Sequence, residues 1–286
     1  MHEVRWCFHT TAMVTDYERT RDVLARLVGC RPLEDLRDES PEIGRRGGMT
    51  WIGDNSIELG ESIVPDGAVD KFVRRFGSHM SSIAVQVRDI DATVSFLESA
   101  GVRVASRIDD VIVFTDPRTT AGIVIEWYGG EAENDPRFGA PMPPPVADPV
   151  LDVRRMSFGG AVVTDPAAAA ARLAELFATE VTFVDLDARP GTPQAGVSMG
   201  DMTLALYPVE SPADSTRLWA HVYERPQTSN LGIQVVDLEI ARTALAAAGV
   251  GLVRDEPDHL VVHPDETGGV ILVVSDRLLP NDPRAD

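Results

Sequence analysis

Cysteine is nearly missing from this chain of 286 residues, with Cys7 and Cys30 the only two. That is too few for a disulfide framework, so the core must rest on apolar packing, and two lone thiols fit a reducing cytoplasm. Long apolar runs are missing too. No stretch reaches the ~18 apolar residues that a membrane-spanning helix needs. The opening MHEVRWCFHTT has no basic region followed by an apolar stretch, so neither export nor membrane insertion is expected. Basic residues are scarce beside acidic ones, 26 Lys and Arg against 45 Asp and Glu, for a net charge of −19. A surface of that sign disfavours nucleic acid and anionic membrane and leaves a small molecule or a protein as the expected partner. No glycine-rich phosphate loop or nicotinamide fingerprint occurs, so no nucleotide cofactor is expected.

What is present is a repeat. An apolar strand-like run, an Asp and an amphipathic helix-like run, usually closed by Gly, occur four times: FHTTAMVTDYERTRDVLARLVG from Phe8, SSIAVQVRDIDATVSFLESAG from Ser81, SFGGAVVTDPAAAAARLAELFA from Ser157 and SNLGIQVVDLEIARTALAAAG from Ser229. The marker residues Asp16, Asp89, Asp165 and Asp237 are 73, 76 and 72 residues apart, nearly even spacing. The run before each Asp is rich in strand formers, and the Asp side chain suits a helix N-cap. Pro166 fits a first helical turn, and Gly29, Gly101 and Gly249 fit helix stops. Helical spacing continues in Val23, Leu24, Leu27 and Val28, and in Ile90, Val94 and Leu97. Short strand-like runs complete each unit as β-α-β-β-β.

Between the second and third copies, GGEAENDPRFGAPMPPPVADPVLD is rich in Pro, Gly and acids and reads as a linker that cannot build a core. The expected organisation is an N-terminal domain over residues 1–130, a linker over 131–152 and a C-terminal domain over 153–286, each domain holding two modules. The chain is long enough for two cores of ordinary size.

Tandem β-α-β-β-β modules that open with H-x-x-x-x-V-x-D and close on a strand carrying Glu resemble the vicinal-oxygen-chelate superfamily, the glyoxalase, bleomycin resistance and extradiol dioxygenase group. The resemblance covers essentially the whole chain. It is nearest to the methylmalonyl-CoA epimerase and glyoxalase branch, through IELGESIVPDGAVDKFVRRFG followed by IAVQVRDIDATVSFLESAGV. It implies an α+β fold of four βαβββ modules in two tandem glyoxalase-like domains. Each pair of modules would form a cupped sheet that takes metal ligands from its first and last strands.

Counting from the marker aspartates places His9, Ser82, Phe158 and Asn230 at the first-strand positions. Alignment of SIELG, GIVIEWY, MTLALYP and GVILVVS places Glu58, Glu126, Ala205 and Val273 at the last-strand ones. The resemblance thus implies a metal set of His9, Glu58 and Glu126 in the N-terminal half. Ser82 stands where the family usually has a second His, and the C-terminal half has no ligand set. Strand alternation puts His9, Thr11 and Met13 on one face, with Phe8, Thr10, Ala12 and Val14 on the other, and sets Glu58 and Glu126 apart from their apolar neighbours. His79 lies at an odd offset from Ser82, which sends it to the opposite face unless a bulge intervenes. His2, His221, His259 and His263 match no ligand position and read as surface or turn residues.

The resemblance implies a divalent ion, iron, manganese, cobalt, nickel or zinc, bound by an imidazole and two carboxylates. The expected activity is that of an isomerase, epimerase or lyase that stabilises an enolate or similar oxyanion of a small molecule with neighbouring oxygens. Glu58 and Glu126 are its candidate catalytic residues, one of them shuttling a proton. An extradiol-type ring-cleaving dioxygenase is the second reading, and a metal-free protein that sequesters a small ligand the third. The loop SPADSTRLWAHVYERPQTSN offers Trp219, Tyr223 and Arg225 as substrate contacts, against the plainer expectation of a surface connection. Oligomeric state is left open.

Overall fold

The computed structural model describes residues 2–40, 43–145, 148–209 and 225–285. Each marker Asp caps a helix with its carboxylate. Asp16 accepts from the backbone N–H of Arg19 at 3.0 Å, Asp89 from Ala92 at 2.9 Å, Asp165 from Ala168 at 3.0 Å and Asp237 from Ile240 at 2.9 Å. A cap of this kind satisfies a donor that the helix leaves open and contributes about 1 kcal/mol. The helices are α1 (Tyr17–Val28), α2 (Ala68–Phe76), α3 (Ile90–Ser99), α4 (Pro166–Phe177) and α5 (Leu238–Ala247). The marker aspartates open all of these except α2, which lies between the first two repeats. None of the described helices is long and apolar enough to cross a membrane.

The strands of the first half are β1 (Val4–Val14), β2 (Arg31–Asp38), β3 (Arg45–Ile52), β4 (Asn55–Ser62), β5 (His79–Val87), β6 (Val104–Ile108), β7 (Ile112–Thr115) and β8 (Ile125–Tyr128). They form one sheet in the order β2-β3-β4-β1-β5-β8-β7-β6. The second half supplies β9 (Val153–Val163), β10 (Val181–Val184), β11 (Ala195–Ser198), β12 (Thr203–Pro208), β13 (Gln227–Val235), β14 (Leu252–Asp255), β15 (Leu260–Val262) and β16 (Leu272–Ser275). Their order, β10-β11-β12-β9-β13-β16-β15-β14, repeats that of the first sheet. In each module the first strand pairs in parallel with the last, and the two first strands of a sheet meet antiparallel at its centre. The fold is therefore α+β, two sheets of two βαβββ modules each.

The helix-side faces of both sheets share one continuous core, in which Leu24, Leu27, Ile57, Ile83, Ile125 and Trp127 meet Leu173, Phe177, Leu204 and Leu231. Ile57 and Leu59 flank Glu58 in sequence, and Ile125 and Trp127 flank Glu126. All four are buried in this core, so strand alternation turns both glutamates to the other, inner face.

The segment after β8 departs from the expected bare linker. Phe138 packs into a small cluster on the inner face with Phe8, Met49, Ala84, Leu33, Leu36 and Tyr128. Further on, the N–H groups of Val150 and Leu151 donate to the carbonyls of Arg26 and Leu27 at 2.8 and 3.0 Å. A segment poor in apolar residues is docked here by hydrogen bonds and a few side chains, terms that composition does not register.

Candidate functional site

Three strands of the first sheet carry His9, Glu58 and Glu126 to one point. In the register, Thr11 lies beside Glu58 and Ala84 beside both His9 and Glu126, so β1 and β5 bring the outer two strands together. His9 Nε2 stands 3.1 Å from Glu58 Oε2 and 3.6 Å from Glu126 Oε2. Ligand atoms from all three residues lie within 4.8 Å of one another. The residues are 3%, 3% and 6% exposed, so bulk water does little to screen two carboxylates held this close. Thr11 Oγ1 donates to Glu58 Oε2 at 3.4 Å, and the Arg45 guanidinium forms an ion pair with Glu58 Oε1.

The electrostatics follow from that geometry. Burial alone would depress the His9 imidazole, but the charge of Glu126 and the contacts with both carboxylates outweigh it and raise the group to about 9. Burial would likewise raise Glu58, and the charges of Arg45 and His9 reverse it and hold the carboxyl well below the usual range. Glu34, across from Met49 in the register, is pushed up by burial and by the charge of Glu58. Without a metal the centre is thus a buried imidazolium between carboxylates.

The donor set fits a divalent cation. Neither ring nitrogen of His9 makes a hydrogen bond of good geometry, although both are buried, and one imidazole with two carboxylates suits first-row divalent ions. Ser82 pairs with Thr11 across the strands and therefore faces the same side, as its offset implied. Its hydroxyl is a weak ligand, and the three stronger donors leave room for water or substrate oxygen.

Two alternation readings change because strands carry bulges. The pairing of β1 with β5 steps from Cys7–Val85 to His9–Ala84, which leaves Phe8 unpaired between them. The extra residue turns Phe8 to the inner face beside His9, with ring centroids 4.9 Å apart, and Phe8 stacks on Tyr128 at 4.4 Å. A second shift, between Thr11–Ser82 and Ala12–Met80, brings His79 opposite Met13 and so onto the His9 side. His79 is buried there 6.3 Å from the Phe72 ring and is not one of the three clustered donors.

The second sheet repeats this geometry without its chemistry. Gly160 pairs with Ala205 and with Asn230, and Gly232 pairs with Phe158 and Val273. Phe158, Ala205 and Val273 therefore occupy the places of His9, Glu58 and Glu126, and they belong to an apolar cluster with Tyr207 and Ile271.

Other histidines differ in part from the surface reading. His2 stacks on Phe96 at 4.3 Å and bridges Thr93 Oγ1 and the Leu176 carbonyl at 3.1 and 2.7 Å, a tie between the two halves. His259 is buried against Asp258 at 3.0 Å, whereas His263 caps a short turn as expected. His221, Trp219 and Tyr223 lie outside the described residues, and Arg225 stands over the Phe76 ring at 4.1 Å.

Sequence reasoning missed Arg137. Its guanidinium donates to the carbonyls of Cys7 and Phe8 at 2.7 and 2.6 Å, pinning the bulge just before His9, and pairs with the buried Asp135 at 2.6 Å. The signal was present. N-D-P-R occurs at 134–137 and again at 281–284, and Arg284 holds the carbonyls of Met156 and Ser157 at 2.9 and 2.7 Å in the same way.

Comparison with known proteins accords with this architecture. Residues 8–114 match the model of a family described as the glyoxalase/bleomycin resistance protein/dioxygenase superfamily. No curated protein matches the chain. Among solved structures, methylmalonyl-CoA epimerase from Mycobacterium tuberculosis is 21% identical over 44% of this chain and 87% of its own, with a TM-score of 0.41. A Streptomyces coelicolor methylmalonyl-CoA epimerase variant in complex with 2-nitronate-propionyl-CoA is 23% identical over 46% and 100%, with a TM-score of 0.42. A variant of 4-hydroxymandelate synthase from Streptomyces coelicolor aligns over 98% of this chain and 95% of its own, at a TM-score of 0.67 and 14% identity. That last likeness is one of fold, and it runs through both sheets.

Proposed function

We propose, from the match of residues 8–114 to the glyoxalase/bleomycin resistance/dioxygenase superfamily, that this chain is a divalent-metal-dependent member of it, an enzyme of the isomerase, epimerase or lyase kind. Its substrate is a small molecule with neighbouring oxygens, and its centre is His9, Glu58 and Glu126. One observation carries the reading: a buried imidazole lies between two buried carboxylates at 3.1 and 3.6 Å. Two carboxylates held this close repel each other unless a cation stands between them, and a divalent ion neutralises both at once. Such an ion, when bound, supplies a Lewis acid that stabilises negative charge developing on a substrate oxygen.

The protein's own groups divide the remaining work. Glu58 is fixed by Arg45 and Thr11, so it serves as an anchor. Glu126 meets His9 alone in an ion pair among the described residues and lacks the second anchor that Arg45 gives Glu58, so it has the freedom to take a proton from a substrate carbon and return it. The stacked Phe8 and Tyr128, with Met49 and Ala84, wall one end of the inner face and keep water from the reacting centre. The second half, with Phe158, Ala205 and Val273 in the matching places, acts as a scaffold. Cys7 and Cys30 are free and buried, which accords with a reducing cytoplasm.

Elemental analysis of protein purified without a metal-affinity tag and equilibrated with candidate divalent ions tests this reading. One ion per chain is expected in wild type and in Phe158→Leu, and none in His9→Ala or Glu126→Ala. A wild-type protein that holds no specific ion would overturn the metalloenzyme reading and leave metal-free ligand binding in its place.

A further inference from the structure

Arg45 enters the centre from β3, in a direction that no ligand count anticipates. Its side chain crosses the inner face over Gly60, where an added Cβ would stand 2.7 Å from Met13 Sδ and 3.6 Å from Arg45 Cδ. Such a Cβ would clash with Met13 and only touch the arginine, so the glycine keeps Met13 in place beside the Arg45 stem. Its guanidinium then meets Glu58 Oε1, while Glu58 Oε2 faces His9 and Thr11. The arginine side chain is 22% exposed against 4% for Glu58, so its head group spans from the buried carboxylate to the open part of the face. Arginine stays charged at all ordinary pH, and its planar fork can serve two anionic oxygens at once.

A permanent cation on a metal-ligating carboxylate has two consequences. It competes with a divalent ion for Glu58, because both are drawn to the same charge and repel each other. Once an ion takes up the charge of Glu58, the guanidinium is left without its counter-ion beside the reacting position. We propose that Arg45 selects the substrate of this centre, admitting a vicinal-oxygen compound that carries a negative charge and binding that charge at the expense of metal affinity. This rests on the metal reading of His9, Glu58 and Glu126. A plain structural ion pair would behave differently, since its removal would free Glu58 for the metal and leave the affinity for an anionic ligand unchanged.

The test uses the full chain loaded with Mn(II), with metal and ligand affinities measured by calorimetry and by water-proton relaxation. Glycolate serves as an anionic vicinal-oxygen probe and ethylene glycol as its neutral counterpart. Wild type should prefer glycolate. Arg45→Met should bind Mn(II) at least tenfold more tightly and lose at least tenfold in glycolate affinity with ethylene glycol unchanged, and Arg45→Lys should keep most of the glycolate preference. Unchanged or weaker Mn(II) binding by Arg45→Met, or unchanged glycolate binding, would overturn the assignment while leaving the metal centre intact. A wild-type protein that binds no Mn(II) or other divalent ion would fail the metal reading itself, and this assignment with it.

Discussion

The backbone N–H of Cys7 in the first sheet donates to Asp201 Oδ1 in the second at 2.8 Å. The reverse bond exists as well, from the N–H of Met156 to Asp54 Oδ1 at 3.0 Å. Each aspartate sits at the tip of the hairpin before its module's last strand, and each follows a glycine packed on the other half. A Cβ on Gly53 would stand 2.5 Å from Arg155 Cα, and one on Gly200 would stand 2.4 Å from the Arg5 carbonyl. Their φ angles of +62° and +93° also favour glycine. The two halves thus embrace through matching contacts, as two copies of one subunit would across a two-fold axis.

That contact makes stability depend on pH. Burial, partly offset by the Cys7 N–H, raises Asp201 to about 6. A carboxyl whose folded value exceeds its unfolded one binds a proton more readily when folded, so its charge costs stability as pH rises from about 4 to about 6, and the cost is constant above that. Asp201→Asn keeps the acceptor and removes the charge. It should stabilise the protein by about 1–3 kcal/mol at pH 7.5 and by little at pH 4, as read from urea unfolding at the two values. Equal effects at both would show that Asp201 carries no such penalty.

The two arginine clamps should be costly to remove and hard to replace. Asp135 and Asp282 are 1% and 3% exposed and would be left as uncompensated buried charges. Arg137→Ala and Arg284→Ala should therefore each lose about 3–5 kcal/mol in denaturant unfolding. Lysine cannot reach two carbonyls and a carboxylate with one ammonium, so Arg137→Lys should recover little. A tolerated Arg137→Ala would mean that the bulge before His9 holds itself.

His9 should report on the centre when the protein is free of metal. With its folded value near 9, the imidazolium contributes stability that is fully present below about 6.5 and is lost as pH rises through about 9. A metal requires the neutral ring, so divalent-ion affinity should climb with pH over the same interval and level off above it. Ring-nitrogen NMR of metal-free wild type, beside ion titrations at pH 6, 7.5 and 9, checks both. A ring that titrates near 6.5 would mean that the two carboxylates do not hold the proton.

Much of this molecule is written locally and is therefore legible along the chain. A capping Asp, helical spacing and β-branched runs act within a few residues, and they recur four times, so the modules and their order follow from the sequence, while the choice of His9, Glu58 and Glu126 came from the family resemblance. Glu58 and Glu126 could be assigned to the inner face because their strands keep strict alternation with apolar neighbours.

Tertiary structure decided what depends on long-range pairing. The bulge at Phe8 exists because β1 must pair with β5 while Arg137, well over a hundred residues away, holds its carbonyls. No local pattern encodes that. The bulge beside Ser81 likewise turned His79 to the His9 side, the approach of Arg45 to Glu58 required β3 to pair with β4, and the reciprocal Asp54 and Asp201 contacts required both halves at once. Sequence determined which side chains are available and the face that regular alternation gives them. Register shifts and contacts between distant segments settled which of them meet, because those energies arise only when the chain is folded.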